Sequence, residues 1–387
     1  MFGPRLTLFR LLGIEIRLDF SWALLAILIT WSLAVGFFPF THPDLAPSTY
    51  WTMGALGALG LFVSIVLHEL AHAVVARRDG MGIDGITLFV FGGVAEMKSE
   101  PKSPGAEFRM AIAGPVMSVL VAALCYAAAV LGQGMGAGDP FVAVFAYLAL
   151  LNTILVVFNM VPAFPLDGGR VLRAALWAWR GRLDWATRIT ATIGSAFGIL
   201  LVVLGLLTAL GGNLIGGIWW FLIGLFVRAA AGMSYRQVLV RKGLEGVAVR
   251  RIMQAPAVAV APDLSVQALV DDYVYRHHFK LYPVTEGDRL VGCVRLEDVK
   301  EVPRERWART AVGAIMRPCD DAVTVGPETD AYELLPKMQA SGQGRFLVTE
   351  GGRLRGIVTR KDLFAFLSVR FELEGQEREG LRMRQAA

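Results

Sequence analysis

Over the first two-thirds of the chain the apolar positions do not alternate with polar ones; they run. Six long stretches, about Phe20–Phe38, Met53–Ala76, Phe108–Leu131, Phe141–Val161, Ile189–Leu210 and Leu214–Met233, carry almost no charge. Each comes close to or exceeds the roughly 20 residues a helix needs to cross a bilayer, so each predicts a membrane-spanning helix. A seventh apolar stretch, Ile86–Ala95, is too short to cross. Its Leu88, Val90 and paired Gly92-Gly93 predict an extended, re-entrant piece, which survives at membrane depth only when buried in protein or lining a wet cavity. From Arg236 onward charged residues recur, and the pattern becomes that of a soluble domain.

Composition agrees with the runs. A chain that is 55% hydrophobic and only 18% charged is too apolar for an ordinary soluble protein. The net charge of +5 is mild, and no nucleic-acid partner is expected from it. Its placement says more. Arg5, Arg10 and Arg17 precede the first span, and Arg77, Arg78, Lys98 and Lys102 follow the second. Arg170, Arg173, Arg180, Arg182 and Arg188 separate the fourth from the fifth, and Arg236, Arg241 and Lys242 follow the sixth. The alternate connections, about Pro39–Thr52, Gly132–Pro140 and Gly211–Asn213, contain no Lys or Arg. Basic connections stay inside, so both termini are expected to face the cytoplasm of a multi-pass inner-membrane protein. The first apolar run begins only at Phe20, without a small-residue cleavage site, so no removable signal peptide is expected. Cys125, Cys293 and Cys319 are widely spaced and form no framework, which predicts a reduced compartment and no structural disulfide.

The chemistry concentrates in the second span. His68-Glu69-Leu70-Ala71-His72 is an HExxH motif, whose two histidines share one helix face and can reach one ion. Glu69 projects beside them as a general base for a metal-bound water. Three ionisable residues in five positions of a span mark a functional site, because such groups are expensive there. A catalytic zinc usually takes three protein ligands. Of the remaining histidines, His42 is predicted on the opposite face and His277 and His278 lie in the soluble tail, so a carboxylate is wanted. Asp167 follows the prolines of Asn159–Gly169, a segment that breaks the fourth helix at the matching depth. Asp79, Asp84, Glu96 and Glu107 lie on the same side and compete with it. Asn159, polar in an apolar run, serves either a helix–helix bond or the substrate backbone and oxyanion.

These pieces together resemble the site-2 protease family of intramembrane metalloproteases, in the branch that carries CBS domains. The resemblance rests on HELAH at His68–His72 and NMVPAFPLDGG at Asn159–Gly169. It is supported by GIEIRLDFSW at Gly13–Trp22, FGGV at Phe91–Val94 and AIAGPVMS at Ala111–Ser118. It implies zinc ligation by His68, His72 and Asp167, Glu69 as base, and Asn159 near the substrate. The family cuts peptide bonds in or near transmembrane segments. A substrate helix must be opened first, and Phe91, Gly92 and Gly93 are placed to hold it by strand addition.

The tail repeats itself. Val284–Gly292 (VTEGDRLVG) recurs as Val348–Gly356 (VTEGGRLRG), and Val249–Met253 echoes Val312–Met316. Each unit reads as an extended piece, a helix, two strands and a helix, and resembles a tandem pair of CBS domains, an α/β module. Such pairs bind adenine nucleotides (ATP, ADP or AMP) and dimerise. The second repeat keeps Thr359 and Asp362 to hold a ribose or phosphate. In the first, Asp298 is retained while Arg295 replaces the threonine, which leaves that site in doubt. The expected organisation is a six-span protease domain over 1–235, a linker over 236–246, repeats over 247–305 and 306–370, and a charged tail over 371–387. The competing classes are a CBS-gated transporter and an inactive membrane scaffold. A transporter wants polar residues spread through several spans, whereas here they cluster at one depth.

Overall fold

A computed structural model describes residues 5–89, 92–97, 101–319 and 323–373. The chain divides into two compact units, 1–236 and 237–387.

The first unit begins with a hairpin of β1 (Arg5–Leu11) and β2 (Ile14–Asp19). Asp19 then caps α1 (Phe20–Ser32) by accepting the Ser21 N–H at 2.9 Å. A π-helical turn, Leu33–Phe37, joins α1 to α2 (Phe38–Thr41) in one continuous 22-residue span. Proline in the first turn starts α3 (Pro47–Arg78), where its missing N–H costs nothing. After α3 come β3 (Ile83–Phe89), β4 (Gly92–Met97) and α4 (Pro104–Gly134), the last capped by Ser103. Then follow α5 (Asp139–Asn159), α6 (Asp167–Arg180), α7 (Leu183–Leu210) and α8 (Leu214–Leu244).

Six of these helices, counting α1–α2 as one, are long and apolar enough to cross a membrane, in agreement with the six apolar runs. α3 and α4 overrun their runs at both ends. The 32 residues of α3 extend about 48 Å, well beyond a hydrocarbon core of about 30 Å. Much of what this unit exposes is apolar: Leu24, Leu124 and Val157 each leave 67–70% of their surface uncovered. That belt suits lipid and not water. α6 was not foreseen. Its sequence reads as a basic connection, yet it is an amphipathic helix that buries Arg173.

The extended stretch Ile86–Ala95 falls on β3 and β4, with Val90 and Phe91 outside the described residues. The sheet order is β1-β2-β3-β4, with β2 and β3 parallel and the other pairs antiparallel, so β4 is an edge. Ile14, Ile16, Ile86 and Leu88 are fully buried and pack with Ile65, Val66, Leu70 and Ala73 of α3. The sheet is thus fastened to the helix that carries the HExxH motif.

In the second unit the sequence repeat is a structural one. Helical residues come first as α9 (Val266–Ala268), a π-helical turn and α10 (Tyr275–His277). A hairpin of β5 (Leu281–Glu286) and β6 (Arg289–Arg295) leads into α11 (Leu296–Lys300). The second copy is β7 (Thr324–Val325), α12 (Ala331–Ala340), β8 (Arg345–Glu350), β9 (Arg353–Thr359) and α13 (Arg360–Leu373). The strands form one sheet, β5-β6-β9-β8-β7. Both hairpins shift register at the same place, after Val284 and after Val348. Each repeat's leading segment crosses to the other's hairpin: Gln254 bridges to Ile357, and Arg317 to Cys293.

That crossing corrects one expectation. Cys293 and Cys319, 26 residues apart, have Cα atoms 5.6 Å apart and are joined as a disulfide. Linear spacing hid the pair, because only the crossed arrangement of the repeats brings residue 319 onto β6. Cys125 is a free thiol.

Candidate metal centre

One turn of α3 separates His68 from His72, and both rings are buried on one face. Their Nε2 atoms lie 3.2 Å apart. Asp167 Oδ2 is 3.1 Å from the first and 3.3 Å from the second. Ligands on tetrahedral zinc at bonds of about 2.0 Å stand roughly 3.3 Å from one another, so this triangle matches the face of such a site.

The outer ring nitrogens explain why the inner ones point inward. His72 Nδ1 donates to the Met110 carbonyl at 2.6 Å, since a carbonyl can only accept. In the neutral ring Nε2 then carries a lone pair. His68 Nδ1 is held by Ser118 Oγ at 2.8 Å. Where His68 Nδ1 likewise donates to Ser118, two imidazole lone pairs and a carboxylate oxygen face one another at close range, an arrangement that repels itself unless a cation sits among them. The donor set fits zinc. Outer hydrogen bonds of this kind fix ring orientation and raise ligand basicity.

Close backbone packing sets the remaining coordinates. Gly114 of α4 lies against both rings: a Cβ there would fall 2.2 Å from His72 Nε2 and 2.6 Å from His68 Nε2. Asp167 opens α6. The next residue, Gly168, touches the preceding segment so closely that a Cβ would meet the Met160 carbonyl oxygen at 2.3 Å. The broken segment thus delivers the carboxylate at a defined height.

Among the described residues, His68, His72 and Asp167 are the group able to hold a metal. The competing carboxylates are engaged elsewhere or not described: Glu107 pairs with Arg173, and Asp79 with Arg109 at 2.7 Å. Asp84 also has a partner, and the Glu96 side chain lies outside the described residues. Glu69 is half-buried on α3 and backs onto Gly93 of β4, where a Cβ would fall 2.5 Å from Glu69 Cγ. Gly92 and Gly93 therefore begin the edge strand beside Glu69, and Phe91 lies outside the described residues. Asn159 ends α5, half-buried, and its side chain has no hydrogen bond among the described residues.

In the second unit Asp362 Oδ2 accepts the Thr359 N–H at 2.8 Å and its hydroxyl at 2.6 Å, while Gln254 Nε2 reaches Oδ1 at 2.6 Å. In the first repeat Asp298 takes the Arg295 N–H at 2.8 Å and the Arg317 guanidinium at 2.6 Å. Gln254 and Arg317 follow equivalent methionines, so the repeats differ in the charge that meets the aspartate.

The sequence did not disclose Met110, Gly114 and Ser118 as the framework around the rings. Ser118 left a signal, since a hydroxyl in an apolar span needs a partner. The role of the Met110 carbonyl left none.

A helix-borne HExxH joined by a carboxylate, inside a bundle apolar enough for a membrane, defines a membrane metallopeptidase. The model of peptidase family M50 matches residues 56–142 and 135–204, and that of the CBS domain matches 249–305 and 312–369. Rip3 of Mycobacterium tuberculosis is 36% identical over 362 residues, covering 93% of this chain and 92% of that protein. The zinc metalloprotease MJ0392 of Methanocaldococcus jannaschii is 33% identical over 362 residues, covering 94% and 96%. Among solved structures, the site-2 protease from Methanocaldococcus jannaschii is 32% identical, covers 60% of this chain and 96% of that one, and has a TM-score of 0.43. The chain belongs to peptidase family M50, the site-2 proteases, and carries two CBS domains.

Proposed function

We propose that this chain hydrolyses peptide bonds in or near the transmembrane segments of membrane-tethered proteins, within the bilayer. His68, His72 and Asp167 hold the zinc. The observation that carries the reading is the convergence of two Nε2 atoms and one carboxylate oxygen at 3.1–3.3 Å. When bound, zinc supplies a Lewis acid that activates water and polarises the scissile carbonyl. Glu69 accepts the proton of the attacking water and passes it to the departing amide nitrogen. The Asn159 amide, with no hydrogen bond among the described residues, holds the substrate backbone or its developing oxyanion. Purified protein is expected to carry about one zinc per chain and to cut a model transmembrane substrate. Chelation should remove both and added zinc restore both. A chain without a tightly bound transition metal, or cleavage indifferent to the chelator, sinks the reading.

The edge strand β4 aligns the opened substrate by strand addition, Phe91, Gly92 and Gly93 shaping its approach. Proline at Val94 and, separately, at Ala95 removes successive backbone donors, one of which faces outward. One of the two is expected to abolish cleavage with zinc content unchanged. Full activity in both would dismiss strand addition.

The CBS pair regulates the protease by binding an adenine nucleotide at Thr359 and Asp362, and it pairs two chains. Asp298, already neutralised by Arg317, contributes no comparable site. Calorimetric titration of the full chain with ATP, ADP and AMP tests the ligand, and light scattering on the same samples tests the dimer. No heat from any of the three removes the sensor, and a monomer throughout removes the pairing. Both termini face the cytoplasm of the cell membrane. A periplasm-dependent reporter fused to either end should stay silent, and a signal would reverse the orientation.

A further inference from the structure

Glu107 and Arg173 form an ion pair with side chains 0% and 6% exposed, in a unit otherwise dressed for lipid. Arg173 Nε reaches Glu107 Oε1 at 2.5 Å, and a second guanidinium nitrogen binds the same oxygen. Glu107 Oε2 has no partner among the described residues. The guanidinium also lies 4.9 Å from the centre of the Phe164 ring, on the segment that precedes Asp167.

The position of the pair gives it a role. Glu107 sits in the first turn of α4, and Met110, Gly114 and Ser118 follow it at helical spacing on the buried stripe of the same helix. Along that stripe, the Met110 carbonyl holds His72, Ser118 holds His68, and Gly114 sets the approach to both. The third ligand, Asp167, has no such bond to α4. It is carried by α6, whose one buried charge, Arg173, lies six residues further along the helix and is tied to Glu107. All three ligands are thereby referred to one helix.

We propose that Glu107 and Arg173 are positioning residues for the third ligand, setting the height and rotation of α6 so that the Asp167 oxygen meets the two imidazoles. This rests on the zinc reading of the site. It accounts for retaining an expensive buried pair where apolar packing would stabilise the bundle as well.

The test uses full-length protein loaded with cobalt(II), following its visible absorption, its affinity by chelator competition, and the melting temperature. Arg173→Met is expected to weaken metal binding about 10–100-fold and to move the spectrum toward that of Asp167→Ala. In an Asp167→Ala background it should add little. Arg173→Lys should recover part of the affinity. The double variant Glu107→Leu with Arg173→Met, which removes both charges, should regain thermal stability without regaining the spectrum. A wild-type spectrum and affinity in Arg173→Met overturns the proposal. So does an effect fully additive to that of Asp167→Ala, or recovery of the spectrum along with stability in the double variant. If Arg173→Met does not fold, Arg173→Lys and Glu107→Gln carry the same comparison. Wild-type protein that takes up no cobalt would instead overturn the metal reading itself.

Discussion

Glu69→Gln is expected to keep its metal and lose cleavage by roughly 10²–10⁴-fold, the usual worth of a positioned general base. The amide has nearly the carboxylate's shape, so the contact with Gly93 survives. Glu69 is outside the triangle of ligand atoms, so nothing that binds the ion is removed. What disappears is the ability to take a proton from water. Zinc content and cleavage of a model transmembrane substrate, measured on the same preparation, separate the two. Cleavage at the wild-type rate would take the base role from Glu69. Loss of zinc together with activity would show that this carboxylate helps hold the ion, and would reopen the choice of third ligand.

Much of the architecture was legible because a bilayer imposes simple rules. Apolar length gave the six spans, since backbone in lipid must satisfy its own hydrogen bonds and helices do so within one segment. The His68–His72 motif was legible for the related reason that charge in a span is costly. Asp167 was harder. The prolines and glycines around it announced a broken helix at the right depth, but spacing alone did not separate it from Glu107 or Asp79. The separation lies in tertiary pairing: Arg173 claims the one and Arg109 the other. α6 escaped notice because its polar face reads as a connection. The disulfide escaped for a topological reason, since the crossing that joins Arg317 to Cys293 is not local. The choice of Asp167 and the disulfide depend on residues distant in sequence that meet only on folding, whereas α6 was hidden by its own local composition.

Gly114→Ala sets two effects of opposite sign against each other. In a helix interior alanine is favoured over glycine by about 1 kcal/mol, which by itself would stabilise α4. Against this, the new methyl would fall 2.2 Å from His72 Nε2 and 2.6 Å from His68 Nε2, far inside contact distance. Neither ring can yield freely, because each is anchored from behind by Met110 or Ser118. α4 must retreat instead, taking the Met110 carbonyl and the Ser118 hydroxyl with it. The steric effect therefore wins at the metal even if the helix itself gains. The variant is expected to fold with normal helix content, to bind zinc about 10–100-fold more weakly, and to lose cleavage in step. Gly232→Ala in α8, where no atom lies within 4 Å of the added carbon, supplies the control and should leave metal affinity unchanged. Equal zinc affinity in the two variants would mean that α4 does not set the geometry of the centre.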